Sequence, residues 1–177
     1  MNAEKVNKIK MVVVDVDGVM TDGSIGYGNF GDTYRVFNTH DGFGFVLLHK
    51  AGLKSAIITG KSSRGLRQRA KELQITFVAQ NSVDKLKVFR AILKRFKLIA
   101  EEVCYIGDDL PDLPVLKNAG LSVTVPQASD EIKTAVDYVT AKGAGRGAVR
   151  ETIDAILKGQ GKWDALLQYY AGQPKKQ

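Results

Sequence analysis

Short apolar runs alternate with stretches of helical period along most of this chain. Met11-Val12-Val13-Val14 is a run of four apolar residues, three of them β-branched. Residues 10–16 therefore read as a first strand, buried on both faces. Residues 24–38 are richer in Gly, Tyr and Phe and contain turn-like Gly-Asn and Gly-Asp steps, which predicts a β-hairpin. Residues 42–50 carry a helical pattern with Phe45, Leu48 and Phe43 turned inward, and Gly52 supplies the stop. A second buried strand follows at 54–59, around Ala56-Ile57-Ile58. Residues 62–73 predict a helix capped by Ser62 or Ser63, with arginines on its outer face. Residues 75–79 form a short strand. Residues 84–96 form an amphipathic helix with Leu86, Phe89, Leu93 and Phe96 at helical spacing. A strand at 102–106 ends in Gly107-Asp108-Asp109, and a helix at 113–119 closes at Gly120. Short strands at 121–125 and 138–140, a helix at 147–157 and a tail from 160 to 177 complete the series.

Strand–helix alternation of this kind predicts an α/β fold: a Rossmann-like three-layer sandwich whose central parallel sheet is covered on both faces. No repeat, low-complexity tract or second domain interrupts it, so residues 1–177 read as one domain. In such sheets ligands sit beyond the C-terminal strand ends. Asp15 and Asp17 follow the first strand, Thr59-Gly60 the second, and Asp108-Asp109 the fourth; Lys85 opens the helix after the third. All converge on one edge of the sheet.

Composition changes this picture little. With 44% hydrophobic and 25% charged residues, the 177-residue chain has an ordinary globular balance. No apolar run approaches the roughly 20 residues of a membrane span. The opening MNAEKVNKIK lacks the apolar core of a signal peptide, and one cysteine, Cys104, precludes an intrachain disulfide. These features suit the cytoplasm. The formal net charge of +7 raises the question of nucleic acid. The basic residues are scattered, however, apart from a Lys175-Lys176 tail, and no aromatics interleave with them. The charge fits attraction of an anionic small substrate better.

Candidate chemistry changes it more. Asp15-Val16-Asp17-Gly18-Val19-Met20-Thr21-Asp22-Gly23 puts three carboxylates just past a buried strand. Burying like charges costs several kcal/mol each, on the order that a compensating ion must offset. Clustered Asp oxygens without His or Cys select a hard cation, Mg2+ above all. Beside such an ion a carboxylate can attack phosphorus, and a second Asp can protonate the leaving oxygen and later activate water. A Thr hydroxyl and a Lys ammonium can hold the phosphoryl oxygens.

This constellation resembles the haloacid dehalogenase superfamily of phosphatases, through Asp15-Val16-Asp17-Gly18-Val19, Thr59-Gly60, Lys85 and Gly107-Asp108-Asp109-Leu110-Pro111-Asp112. The resemblance implies Asp15 as nucleophile, Asp17 as general acid/base with its backbone carbonyl on the metal, Asp108 as a further metal ligand, and Thr59 and Lys85 on the phosphoryl group. The wider order of DVDGVMTDG, hairpin, THDGFG, ITG, VDK, YIGDDLPDLPVL, AGLSV, AVDYVT and GRGAVRE is similar to that of the 3-deoxy-D-manno-octulosonate 8-phosphate phosphatases. That family consists of magnesium-dependent, capless, tetrameric enzymes that make a lipopolysaccharide sugar precursor. By this resemblance, Asp17, Asn38, Thr39, His40, Asp41, Gly42, Val46, Lys61, Arg69 and Lys85 contact substrate. The exposed aromatics of the hairpin (Tyr27, Phe30, Tyr34) would pack between subunits. The tail, with Trp163, Leu166, Leu167, Tyr169 and Tyr170, would close a neighbour's site.

Three departures bear on the substrate: Lys61 stands where the family has Arg, Ala144 replaces the first Gly of a GGRG loop, and Pro126-Gln127-Ala128-Ser129 is atypical. Several residues have plainer readings. Asp109 and Asp112 can cap the following helix, Asp22 can shape a turn, and Arg146 can bind an anion or brace the tail. His40 reads as a loop residue, His49 as a helix-end side chain, Cys104 as inert core, and the aromatic tail as an extra core helix. Two other functions compete. One is a phosphatase for a nine-carbon sialic-type sugar acid. The other is a phospho-accepting receiver domain, in which the phosphorylated Asp follows a later strand and no second Asp stands two residues on.

Overall fold

A computed structural model describes residues 1–30 and 32–172. Lys175 and Lys176 lie outside the described residues. The elements in chain order are α1 (Ala3–Lys8), β1 (Met11–Val14), the hairpin strands β2 (Gly26–Tyr27) and β3 (Thr33–Tyr34), α2 (Thr39–Lys50), β4 (Lys54–Ile58), α3 (Arg64–Glu72) and β5 (Phe77–Ala79). Then come α4 (Lys85–Phe96), β6 (Val103–Ile106), α5 (Leu113–Leu116), β7 (Leu121–Thr124), α6 (Asp130–Thr134), β8 (Tyr138–Val139), α7 (Ala148–Gly159) and α8 (Trp163–Tyr170).

Six strands pair in parallel in the order β5-β4-β1-β6-β7-β8, and β2 and β3 form a separate antiparallel pair. The predicted α/β sandwich is therefore what the chain builds. The pleat splits each central strand between two cores. Val12 and Val14 face a layer containing Phe45 and Leu48 of α2, Leu66 of α3, and Ile153 and Ile156 of α7. Met11 and Val13 face Phe89 and Ile92 of α4, Val115 and Leu116 of α5, and Ile132 of α6. Both faces of β1 are sealed, which is why its sequence is uniformly apolar rather than alternating.

The chain leaves β1 toward β4 and later returns to β6 on β1's other side. This reversal makes the crevice between β1 and β6 the topological switch point, where a doubly wound sheet opens for a ligand. Val14 pairs with Ile106, so the residues following both strands emerge side by side.

Several expectations need correction. Phe43 is 40% exposed rather than inward, because α2 turns Phe45, Leu47 and Leu48 to the core and leaves Phe43 and Val46 on the opposite stripe. Of the two readings of the stretch after 160, the extra helix packed on the core is the one that forms. Residues Trp163–Tyr170 fold as α8, with Leu166 buried in the core and Tyr170 edge-on to Phe43 at 5.4 Å. Helices α1 and α6 were not anticipated; each is short, and each is fixed by one buried anchor, Val6 and Ile132. The hairpin's paired part is only two residues per strand.

Candidate active site

The site begins where β1 ends. The Asp15 amide donates to the Ile106 carbonyl at 2.9 Å, which extends the β1–β6 ladder by one residue and fixes the Asp15 side chain over the crevice. The chain then winds through a wide turn at Val16–Met20, broken by non-helical angles at Asp17 and by a positive φ of 91° at Gly18. Gly18 is required there twice over: only Gly adopts that φ cheaply, and a Cβ would land on the Asp108 carboxylate. Gly107 plays the same part across the crevice, since a Cβ there would collide with Asp112.

Asp15, Asp108 and Asp112 each offer a carboxylate oxygen within 4.8 Å of the others. Their environments differ. Asp112, 1% exposed, has both oxygens engaged: one accepts from Lys85 Nζ at 2.7 Å and Tyr105 Oη at 2.5 Å, the other from the Asp108 and Asp109 amides at 3.2 and 3.4 Å. Asp112 is thus an anchor for the Asp108 loop and for Lys85 rather than a free ligand, and it makes no side-chain cap on α5. Asp109 caps the short 3₁₀ turn at Leu110–Asp112 and not α5: its carboxylate accepts from the Leu110 amide at 2.8 Å, and Asp112 accepts from the Asp109 amide in return. By contrast, one oxygen of Asp108 is buried without a hydrogen-bond partner among the described residues, and the buried Oδ1 of Asp15 meets only the Lys85 ammonium, at 3.0 Å.

The electrostatics follow. Burial, then the charge of Asp112, pushes the Asp15 carboxyl up to about 7 against the pull of Lys85. Burial, then the charges of Asp15 and Asp112, pushes Asp108 up to about 7 as well. Burial alone would lower the Lys85 ammonium, but Asp15 and Asp112 outweigh it and hold its pKa above the ordinary value. Clustered buried carboxylates whose pKa values are pushed up by one another, one with an unpartnered oxygen among the described residues, and an all-oxygen donor set form a site that fits a hard divalent cation.

Thr59 follows β4 at 2% exposure, its backbone tied to Ala79 and Ser82 at 3.0 and 2.9 Å. Its hydroxyl accepts from the Lys61 amide at 3.4 Å. Lys85 is the first residue of α4, which Asp84 caps through the Lys87 amide at 2.9 Å. The cap sets the helix start, and the helix start aims Lys85 inward.

Asp17 takes an unexpected partner. Arg35, from the end of the hairpin, grips its carboxylate through Nε at 2.5 Å and Nη2 at 3.1 Å. Arg35 was not among the residues singled out in the sequence. No local signal marks it: its neighbours Tyr34 and Val36 are the apolar residues, yet the structure leaves them exposed and buries the Arg35 side chain.

The remaining expected contacts divide. Asn38 caps α2 by accepting from the His40 and Asp41 amides at 2.8 and 3.3 Å. Arg69 reaches the Asn38 carbonyl at 3.4 Å and lies against Gly42, where a Cβ would strike it. The structure therefore brings Asn38, Gly42 and Arg69 together. Asp41 is turned away into the protein: its carboxylate accepts from the Gly147 and Arg150 amides at 3.2 and 2.8 Å and ties α2 to the start of α7. Thr39, His40, Val46 and Lys61 are exposed, with no side-chain hydrogen bond among the described residues. His40 is in the first turn of α2 rather than a loop, and lines a cleft with Lys142, Arg146 and Glu151. Arg146 itself is largely exposed, 3.9 Å from Asp22.

The comparisons with known proteins bear on this geometry. Residues 74–153 match the model of the haloacid dehalogenase-like hydrolases. The chain is 41% identical over 160 residues to the 3-deoxy-D-manno-octulosonate 8-phosphate phosphatase KdsC of Escherichia coli K12, spanning 90% of this chain and 85% of that protein. The chain belongs to this phosphatase family of haloacid dehalogenase-like hydrolases. A crystal structure of the Moraxella catarrhalis phosphatase, in complex with magnesium, phosphate and KDO, matches with a TM-score of 0.93 at 39% identity, covering 95% of this chain and 97% of that one. A cobalt-bound form of the Haemophilus influenzae enzyme matches with a TM-score of 0.86 at 38% identity, covering 89% of this chain and 92% of that one.

Proposed function

We propose that this protein is a magnesium-dependent phosphatase that hydrolyses 3-deoxy-D-manno-octulosonate 8-phosphate to the free sugar acid and inorganic phosphate, a step toward lipopolysaccharide. The observation that carries this reading is the similarity to the Moraxella structure over nearly the whole chain, in a family where that enzyme is described with the metal and both products. The clustered, buried carboxylates of Asp15 and Asp108 supply the chemical reason.

Asp15 is the nucleophile: its oxygen forms a bond to phosphorus while the bond to the sugar oxygen breaks. Asp17 gives its proton to that leaving oxygen, then takes one from the water that splits the aspartyl-phosphate. Lys85 and Thr59 hold the phosphoryl oxygens as charge spreads over them. Bound by Asp15, Asp108 and the Asp17 backbone carbonyl, magnesium would screen the repulsion between carboxylate and phosphate. Asn38, Gly42, Arg69 and Lys61 lie on the substrate side of this proposal, with Thr39, His40 and Val46 at its rim. In this reading the substrate is a small sugar phosphate, the chain acts as one capless unit in the cytoplasm, and the hairpins assemble a homotetramer.

The test is release of inorganic phosphate from 3-deoxy-D-manno-octulosonate 8-phosphate with and without magnesium. Turnover should require the metal and vanish in Asp15→Asn. Turnover by the Asn variant would refute the nucleophile, and a preference for nine-carbon sugar acid phosphates would refute the substrate.

A further inference from the structure

Arg35 sits on the hairpin, outside the sheet, yet it is the residue that holds the proposed acid/base. Its side chain is 5% exposed, while its neighbours Tyr34 and Val36 are 60% and 74% exposed. A buried guanidinium on so thin a support needs compensation. Nε and Nη2 find it on the two oxygens of Asp17, while Nη1 is buried with no partner among the described residues. Asp17 makes no other side-chain hydrogen bond among the described residues. Nothing in its own turn orients it, because that turn departs from helical angles at Asp17 and Gly18. The orientation of the Asp17 carboxylate is therefore supplied from the hairpin.

The fork has a definite chemical meaning. Both Asp17 oxygens accept from Arg35, which holds the group in one plane as a hydrogen-bond acceptor. That is the form required in the second half-reaction, in which Asp17 removes a proton from water as the water oxygen bonds to phosphorus and the bond from phosphorus to Asp15 breaks. Planar, two-point contact with Arg fixes a carboxylate's direction in a way that a point charge does not. We propose that Arg35 is a positioning residue for hydrolysis of the phospho-enzyme, holding the Asp17 carboxylate toward the attacking water. In the first half-reaction one arm of the fork must open, since a carboxyl that delivers a proton frees one oxygen. This inference rests on the phosphatase reading above.

The half-reactions can be separated by following substrate labelled in its phosphate. Acid quenching during turnover traps the aspartyl-phosphate and reports the fraction of enzyme in that state. In Arg35→Gln, kcat should fall roughly tenfold to a hundredfold, the scale of a misplaced general base. The trapped fraction should rise severalfold at the same time, because breakdown is slowed more than formation. Arg35→Lys, which keeps the charge but not the fork, should lie between. A merely structural role lowers the amount of competent enzyme and leaves the trapped fraction of that enzyme unchanged. A trapped fraction equal to or below that of the unsubstituted protein, or a raised KM at unchanged kcat, would overturn the proposal. Failure of the unsubstituted protein to release phosphate from the sugar acid phosphate would instead sink the function on which it rests.

Discussion

The carboxylate of Asp112 carries the most structure per atom in this site, and replacing it with Asn isolates what its charge does. The shape is conserved, but the donors around it are not satisfied by an amide. Four donors converge on the two oxygens: Lys85 Nζ and Tyr105 Oη on one, the Asp108 and Asp109 amides on the other. An Asn side chain has one oxygen. Its NH2 must face either the ammonium and phenol or the two backbone amides, and two buried donors lose their acceptor whichever way it turns.

Leaving one member of a buried ion pair alone costs about 3–5 kcal/mol. Two facts reduce that here. Lys85 retains Asp15 at 3.0 Å. The lost charge also relieves Asp15 and Asp108, both of which Asp112 helps to raise to about 7. A net loss of about 2–3 kcal/mol follows from the two unsatisfied donors. For a chain of this size that is a drop in Tm of roughly 4–12 °C. Thermal melts followed by circular dichroism, run with saturating magnesium and with chelator, measure it. Tyr105→Phe is the control: it removes one donor and keeps the charge, and should cost about 1 kcal/mol. The reasoning fails if Asp112→Asn melts within 2 °C or so of the parent, which is under the roughly 1 kcal/mol that one such bond is worth. It fails equally if the control is as damaging as the charge deletion.

Two further outcomes are expected. His49 is held below its ordinary 6.5 by burial and pairs with Ser55 Oγ at 2.7 Å, so the unfolded chain takes up its proton first; the stability it secures is complete above 6.5 and is lost as pH falls from there through the lower folded value. His49→Gln should flatten that part of the stability–pH curve in urea titrations between pH 8 and 5, and an unchanged slope would count against it. The hairpin leaves Tyr27, Phe30, Tyr34 and Val36 at 74%, 98%, 60% and 74% exposure, and light scattering should return the mass of a tetramer that Phe30→Asp and Tyr34→Asp together convert to smaller species; a stable monomer of the unsubstituted protein at micromolar concentration would refute the proposed assembly.

The parts of the fold that were legible in the sequence are those in which one chain segment decides its own fate. Val12-Val13-Val14 and Ala56-Ile57-Ile58 are sealed on both faces, and their composition alone marks them. So too are the strand ends, because parallel pairing carries Asp15 and Asp108 to one edge whatever the loops between them do. What was not legible depends on partners distant in sequence. Phe43 looks like a core residue until the sheet takes the opposite stripe of α2, leaving it on the outer one edge-on to Tyr170 of α8. Asp41 looks like a binding residue until the start of α7, more than a hundred positions on, presents two amides to it. Asp112 looks like a helix cap until Tyr105 and Lys85 arrive from two other elements. Arg35 looks like one more basic residue on a soluble hairpin until the turn after β1 brings Asp17 to it. In each case a polar or aromatic side chain had a locally plausible role, and a long-range contact replaced it.

These long-range contacts share a direction. The protein as a whole is basic, with a formal net charge of +7, yet its crevice sets three carboxylates against one ammonium. The two facts serve different distances. Scattered surface charge acts through water over about a Debye length and gathers anions toward the molecule. Inside the crevice, where the dielectric is low, the nearest charges dominate, and there an anion meets repulsion. A phosphate drawn in by the first field cannot reach Asp15 against the second unless a cation occupies the gap between Asp15 and Asp108. Asp112 intensifies that requirement: it raises both neighbours while spending its own oxygens on Lys85, Tyr105 and the loop amides. The excess of negative charge is therefore not a defect of packing tolerated for the sake of the nucleophile. Under the proposed mechanism it would make the pocket hospitable to substrate only after metal is bound, and would hold that metal against Asp15.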